Sequence, residues 1–205
     1  MNLAIFGASG GTGRRLVEQA LAAGHHVTVL VRTPAAFTEP HERLHIVQGD
    51  VRQADQVAAV VDGQDAVLSA LGPHERGPVT LCTEAITNIL AAMTRHGVRR
   101  LVALSAYGAR ESHDGGLYNG LLWRMQKEKM VDKERMEGLI AHSAVDWTVV
   151  RPSALTNGPH APHYRTGTDL RIKVTSRISR ADVADFMLQQ VTDTTYLRMS
   201  PAIAA

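Results

Sequence analysis

Seven residues near the start of the chain, Gly7-Ala8-Ser9-Gly10-Gly11-Thr12-Gly13, carry the densest chemistry in the sequence. They follow the apolar run Leu3-Ala4-Ile5-Phe6 and open a stretch rich in helix formers, so the glycines fall where a strand turns into a helix. In that setting Gly7 permits a sharp turn, Gly10 lets a diphosphate approach the backbone, and Gly13 lets the helix pack close to the strand. The N–H groups of Ser9 to Thr12 then face the anion together with the positive end of the helix dipole, a contribution of roughly 0.3–1 kcal/mol. A dinucleotide is the expected ligand. The heptapeptide also fits the G-x-S-x-G pattern of a hydrolase nucleophile through Gly7, Ser9 and Gly11. That elbow belongs at a strand in the middle of a hydrolase sheet with its Asp and His following in order, whereas this turn follows the first strand.

A second group of residues bears on which dinucleotide binds. Domains that prefer NAD place an acid about 20 residues beyond the glycines to bond the ribose 2′-hydroxyl. Here Val31-Arg32-Thr33 occupies that place. A guanidinium forks onto a 2′-phosphate, and charge-assisted bonds of that kind contribute about 1.5–3 kcal/mol, so NADPH is expected over NADH, held at this end by Arg32 and Thr33. Asp50 and Val51, after the third apolar run, are placed to flank the adenine. Ala70-Leu71-Gly72, after the fourth, would line the path to the nicotinamide.

The elements that position these residues read as alternating strands and helices. Short apolar runs at Leu3–Phe6, Val27–Val31, Leu44–Val47, Ala66–Leu68, Leu101–Leu104 and Trp147–Val150 predict six strands. Helical spacing predicts helices over Thr12–Ala23, Asp55–Val61, Thr80–His96, Tyr118–Ala141 and Arg180–Val191, with Gly24 and Gly97 as stops. Pro152, Pro159 and Pro162 mark a loop-rich region, and Arg171–Val174 reads as a further short strand. Strands apolar on both faces and separated by helices indicate an α/β domain with a doubly wound parallel sheet, Rossmann-like. One such domain spans residues 1–205, with a small irregular C-terminal portion on the substrate side.

Composition narrows the alternatives. At 205 residues, 44% of them hydrophobic and 20% charged, the chain is long enough for one domain with a real core. Its 22 Lys+Arg against 20 Asp+Glu leave a formal charge of +2, too little for binding nucleic acid through phosphate neutralisation. No apolar run approaches the roughly 20 residues of a membrane span. The single Cys82 precludes an internal disulfide and reads as packed rather than reactive, and the expected location is the cytoplasm. The ten histidines show no metal-ligand spacing, so no metal site is expected. Glu128, Lys129, Lys133, Glu134 and Glu137 read as a solvated mixed-charge helix face. The lack of an obvious exposed apolar helix face points to a monomer or weak homodimer.

Taken together, the glycine turn, Val29-Leu30-Val31-Arg32, Gly49-Asp50-Val51, Gly63-Gln64-Asp65-Ala66-Val67, Leu104-Ser105-Ala106, Asp146 to Pro152 and Ile178-Ser179-Arg180-Ala181-Asp182-Val183-Ala184 form a recognisable set. The chain resembles the atypical short-chain dehydrogenase/reductase group that includes biliverdin-IXβ reductase, also a flavin reductase. That resemblance implies an NADPH-dependent reductase passing a hydride to a planar conjugated acceptor such as a flavin. It implies that Ser105 lies beside the nicotinamide as the catalytic residue, and that Pro152 belongs to the cofactor site. On the acceptor side it points to Arg177, with Tyr107 available to stack on a flat substrate; Tyr118 and Trp123 at helical positions read as core. The catalytic tyrosine that better-known short-chain dehydrogenases place four residues before lysine is missing, since Lys129 precedes Lys133. Pro152-Ser153-Ala154 also departs from the histidine-bearing segment of biliverdin-IXβ reductase, so the resemblance carries no tetrapyrrole specificity. A second reading, by similarity to NmrA-like proteins, is a non-catalytic NADP(H) sensor acting on a protein partner.

Overall fold

Alternation along each strand dictates the layers. In β1 (Asn2–Phe6), Leu3 and Ile5 point into one apolar cluster while Ala4 and Phe6 point into another, because successive side chains leave a strand on opposite faces. The structure, a computed structural model, describes residues 1–37, 40–72, 79–113, 116–161 and 163–205. Pro162 and the Tyr118 side chain lie outside the described residues.

After β1 come α1 (Gly11–Ala22), β2 (His26–Val31), β3 (Leu44–Gln48), α2 (Ala54–Val61), β4 (Ala66–Ser69), α3 (Leu81–His96) and β5 (Arg100–Leu104). The chain continues through α4 (Leu117–Ala141), β6 (Asp146–Pro152), β7 (Ala154–Thr156), β8 (Arg165–Gly167), β9 (Arg177–Ser179), α5 (Arg180–Gln189) and β10 (Ala202–Ala204). Eight strands form one sheet in the order β3-β2-β1-β4-β5-β6-β10-β8, and β7 pairs with β9 separately. Every ladder is parallel except that of β10 with β8. Residues of α1 and α5 fill the cluster on one face, and those of α2, α3 and the second half of α4 fill the cluster on the other. The chain runs outward from β1 to β3 and then returns to β4 on the far side of β1. That reversal opens a crevice at the carboxyl ends of β1 and β4.

The expected doubly wound sheet is therefore present, with one antiparallel edge that the sequence reading lacks. Its outer strands are only three residues long, too short for a periodic signal. No strand forms at Arg171–Val174. The alternation there reflects a single anchor, Ile172, which is buried with Tyr107, Ala202 and Ala204, and the neighbouring β9 is already paired with β7.

Helix α4 has two characters. Gln126 leaves helical geometry, with φ −134° and ψ 30°, and kinks the helix there. Before the kink Leu117, Leu121 and Met125, spaced four residues apart, are exposed. The expectation that no apolar helix face is exposed does not hold, and with it goes the argument for a monomer or weak dimer.

After the kink the helix is tied to its neighbours by buried polar groups. The Asp132 carboxylate caps α3 from a distance: its two oxygens accept the Cys82 N–H at 2.8 Å, the Thr83 N–H at 3.0 Å and the Thr83 hydroxyl at 2.6 Å. Thr80, the local N-cap residue, makes no side-chain bond to the helix backbone. Asp132 supplies what that end would otherwise lack. Asp132→Ala leaves those donors unpaired in the interior and is expected to cost about 1.5–3 kcal/mol. Urea unfolding followed by circular dichroism checks this: the midpoint should fall while the slope is unchanged, and an unshifted midpoint would remove the trans cap from the account.

Candidate active site

The first turn of α1 is built by backbone crowding. Gly7 has φ +78°, and a side chain there would meet Ala70 and Leu71 of the β4 end at 2.7–2.8 Å. A side chain on Gly13 would run into the Gly7 carbonyl. Both glycines are required so that helix, turn and neighbouring strand can touch through their main chains. Gly10 donates its N–H to the Gly7 carbonyl at 3.0 Å, so it is not among the free donors the sequence reading assigns to the turn. The donors at the head of the helix are those of its first turn, Gly11, Thr12 and Gly13.

This turn forms one wall of a cavity of about 610 Å³. Arg32, at the end of β2, and Gly49-Asp50-Val51-Arg52, after β3, form one end. Ala70-Leu71-Gly72, after β4, form the middle. Ser105, Ala106, Pro152 and Ser153, after β5 and within and after β6, form the opposite end, with Leu122, Gln126, Lys129 and Lys133 of α4 beside them. The size is within the range of cofactor pockets. Among the described residues the lining holds five cationic side chains, Arg32, Arg52, Lys129, Lys133 and Arg180, against the one carboxylate of Asp50.

Most residues singled out from sequence meet at this cavity: Gly7, Ser9, Gly10, Gly11, Thr12, Arg32, Asp50, Val51, Ala70, Leu71, Gly72, Ser105 and Pro152 all line it. Gly13 acts one layer behind. Thr33 does not line the cavity; it is exposed and precedes a short 3₁₀ turn at Pro34–Ala36. Two residues expected on the acceptor side are elsewhere. Tyr107 is buried with Ile172, Ala202 and Ala204, where packing takes its ring away from the cavity. Arg177 turns onto its own loop, donating to the carbonyls of Val174 at 2.7 Å and Ser176 at 2.9 Å. Trp123 is half-buried, donates to the Gly108 carbonyl at 2.9 Å and stacks on His113.

Three site residues escaped the sequence reading. Arg180 lies against Gly11 and donates to Asn157 at 2.7 Å, which puts a guanidinium at the anion turn. Lys129 and Lys133 point into the cavity instead of joining a solvated face. Lys133 donates to the Leu104 carbonyl at 3.1 Å. Of the rest of that expected face only Glu128 is exposed; Glu134 accepts the Arg110 N–H at 2.9 Å, and the buried Glu137 binds the equally buried Arg151. Arg151 in turn reaches Glu111 at 2.7 Å. Burial opposes a charged Glu111 and is the largest single influence, but the hydrogen bond from Arg151, a backbone hydrogen bond and the charges of Arg151 and Arg110 together outweigh it and hold this carboxyl below the usual range.

Two hydroxyls at the β5–β6 end are notable for what they lack. Ser105 Oγ and Ser153 Oγ are buried and have no hydrogen-bond partner among the described residues. A buried orphan hydroxyl is costly, and both of these serines line the cavity. The glycine cradle, the cationic lining and these two hydroxyls fit a dinucleotide, with its diphosphate at one place and its base and ribose on either side.

Comparison with known proteins agrees with that geometry. The chain belongs to the NAD(P)H-binding family, whose sequence profile matches residues 7–194. It is 30% identical over 167 residues to an uncharacterized chloroplastic protein of Arabidopsis thaliana, covering 76% of this chain and 59% of that one. It is 32% identical over 115 residues to cinnamoyl-CoA reductase 1 of Oryza sativa subsp. japonica, covering 51% of this chain and 34% of that one. The chain thus spans less than two thirds of the length of these relatives. Among solved structures, the oxidoreductase ylbE from Lactococcus lactis superposes with a TM-score of 0.86 at 17% identity, over 99% of this chain and 90% of that one. ChuY, an anaerobillin reductase from Escherichia coli O157:H7, superposes with a TM-score of 0.85 at 20% identity, over 99% and 96%. Among the described residues no helix is long and apolar enough to cross a membrane.

Cys82 sits behind the cavity as a packed thiol. Burial pushes its pKa from 9.0 up to about 11, with Lys133 opposing and Asp132 adding to the rise. Below pH 9 the native thiolate fraction is therefore about a hundredfold lower than that of an unfolded chain. Iodoacetamide at pH 8 is expected to label native Cys82 at least that much more slowly than the urea-unfolded protein, with the native rate still climbing beyond pH 9. Mass spectrometry reads both, and equal rates would contradict a buried thiol.

Proposed function

We propose that this protein is an NADPH-dependent reductase that transfers a hydride to a planar conjugated acceptor of the flavin or linear-tetrapyrrole class. The observation that carries this reading is the buried, unpartnered Ser105 hydroxyl in the wall of the cavity, beyond the anion turn. Reduced nicotinamide, when bound, supplies two electrons and one proton from its C4 position as a hydride.

The chain's own residues then bind and orient. Gly11 and Thr12 direct backbone donors at the diphosphate, and Arg180 adds charge beside them. Arg32 takes the 2′-phosphate, while Asp50 and Val51 flank the adenine. Ser105 Oγ–H donates to the carboxamide or to an acceptor carbonyl, fixing the two rings relative to one another, and solvent supplies the remaining proton. No phenol stands at position 129. A conjugated acceptor spreads the incoming charge over its ring system and so depends less on a strong acid than an isolated ketone does. The fold shared with ChuY supports the same class of reaction without specifying the acceptor.

Steady-state NADPH oxidation with FMN, riboflavin, a quinone dye and biliverdin offered separately tests the assignment. Turnover with at least one is expected. Tight cofactor binding with no turnover on any would overturn it in favour of a redox-sensing module. Ser105→Ala should lower kcat by about 10-fold or more while NADPH binding is kept, and a full-rate variant would remove Ser105 from the reaction. Loss of a charge-assisted bond of about 1.5–3 kcal/mol in Arg32→Ala should cut the NADPH over NADH ratio of kcat/KM by roughly tenfold or more; an unchanged ratio would place the 2′-phosphate elsewhere.

A further inference from the structure

Resting on the reductase reading, we propose that the acceptor is anionic and that Lys129 binds its oxyanion, a carboxylate or a phosphate, at the end of the cavity remote from Arg32. The basis is the placement and the pairing of the lining charges. Arg52 is already paired with Glu84 at 2.9 Å. Arg180 stands at the glycine turn and is held by Asn157. Arg32 stands at the end of β2, and Asp50, the one lining carboxylate, sits on the same side after β3 and accepts the Arg52 N–H at 2.9 Å. The phosphates of a dinucleotide laid across the glycine turn meet these groups, on the β1, β2 and β3 side of the crevice.

Lys129 is on the other side. It lies one helical turn before Lys133, on the same face of α4, and Lys133 is fixed to the Leu104 carbonyl at the end of β5. Lys129 is half-buried and has no hydrogen-bond or ion-pair partner among the described residues. The unpartnered hydroxyls of Ser105 and Ser153 share this end of the cavity. A partly desolvated ammonium without a counter-ion is unfavourable in the empty protein, and an anionic ligand relieves it where a neutral one does not. Ser105 and Ser153 are then left to meet neutral polar atoms of the ring system, and Lys129 selects the charged substituent. Lys129 replaces a proton-donating phenol with an anion receptor.

Two pairs of acceptors test this: FMN against riboflavin, which differ by a phosphate, and biliverdin against its dimethyl ester, which differ by carboxylate charge. For at least one pair the wild-type protein should favour the charged member by about tenfold or more in kcat/KM, mainly through KM, and added salt should shrink the margin. Lys129→Met should bring that ratio to within about threefold and Lys129→Arg should retain it. The pair that shows the preference identifies the oxyanion as phosphate or carboxylate. Equal kcat/KM within both pairs, or an equal loss on both members in Lys129→Met, overturns the proposal. Should nothing be reduced, the reductase reading fails by itself. Binding of the same compounds to NADP⁺-loaded protein, read by flavin fluorescence and bilin absorbance, then decides the anion site: a charge preference that disappears in Lys129→Met supports it, and no preference overturns it.

Discussion

Main chain touching main chain at the β1–α1 turn is the constraint from which the site follows. Gly7 approaches the end of β4 and Gly13 approaches Gly7, distances that no side chain tolerates. That contact brings the head of α1 to the point where the sheet order reverses, so the free first-turn donors open onto the crevice rather than onto solvent. With the turn seated, the strand ends that follow it in the sheet become the successive parts of one groove: β2 and β3 on the Arg32 side, β4 in the middle, β5 and β6 on the far side. The groove runs across the sheet in the order that the crossovers impose.

Helix α4 holds the far side, and it does so through charge rather than grease. Asp132 grips the start of α3, Lys133 grips the end of β5, and Glu137 grips Arg151 of β6, all from one half of one helix. Asp132 and Glu137 are buried with their partners and Lys133 is half-buried, an arrangement that adds little net stability over an apolar equivalent but penalises any shift in register. The residues one turn earlier, Lys129 and Gln126, inherit their positions from these three anchors. At Gln126 the helix kinks, and the outer face of the half before it carries exposed Leu117, Leu121 and Met125.

Those differences explain what could be read from sequence. The glycine turn was legible because its requirement is local: close backbone contact demands glycine at fixed offsets, whatever lies elsewhere in the chain. The central strands were legible because burial on both faces leaves unbroken apolar runs, as in Ala66–Leu68 of β4. The outer strands were not, since Arg165–Gly167 is polar and becomes a strand only by pairing with β10. On α4, spacing puts Lys129, Lys133 and Glu137 near one another but does not say whether that face meets water or protein. Arg151, Leu104 and Cys82 decide it, and they lie far off in sequence. Tyr107 shows the converse error: an aromatic two residues after Ser105 looks available to a ligand until Ile172 and the C-terminal strand close over it.

That residue 129 is a lysine and not a tyrosine bears on the chemistry that the cavity can support. A phenol in that place can give up its proton to an alkoxide forming on an isolated carbonyl, and a neighbouring lysine assists by favouring the phenolate. An ammonium one turn from a second ammonium has a different character. Neither is paired with a carboxylate among the described residues, and on the proposed reading the pair favours ligands that bring negative charge with them. On that reading the pair would also attract the electron density that a conjugated acceptor gains with the hydride, and it would do so without a proton having to move in step. Catalysis of that kind rests on where the rings are held, which returns the burden to Ser105, Ser153 and the anchors of α4 that set the width of the groove.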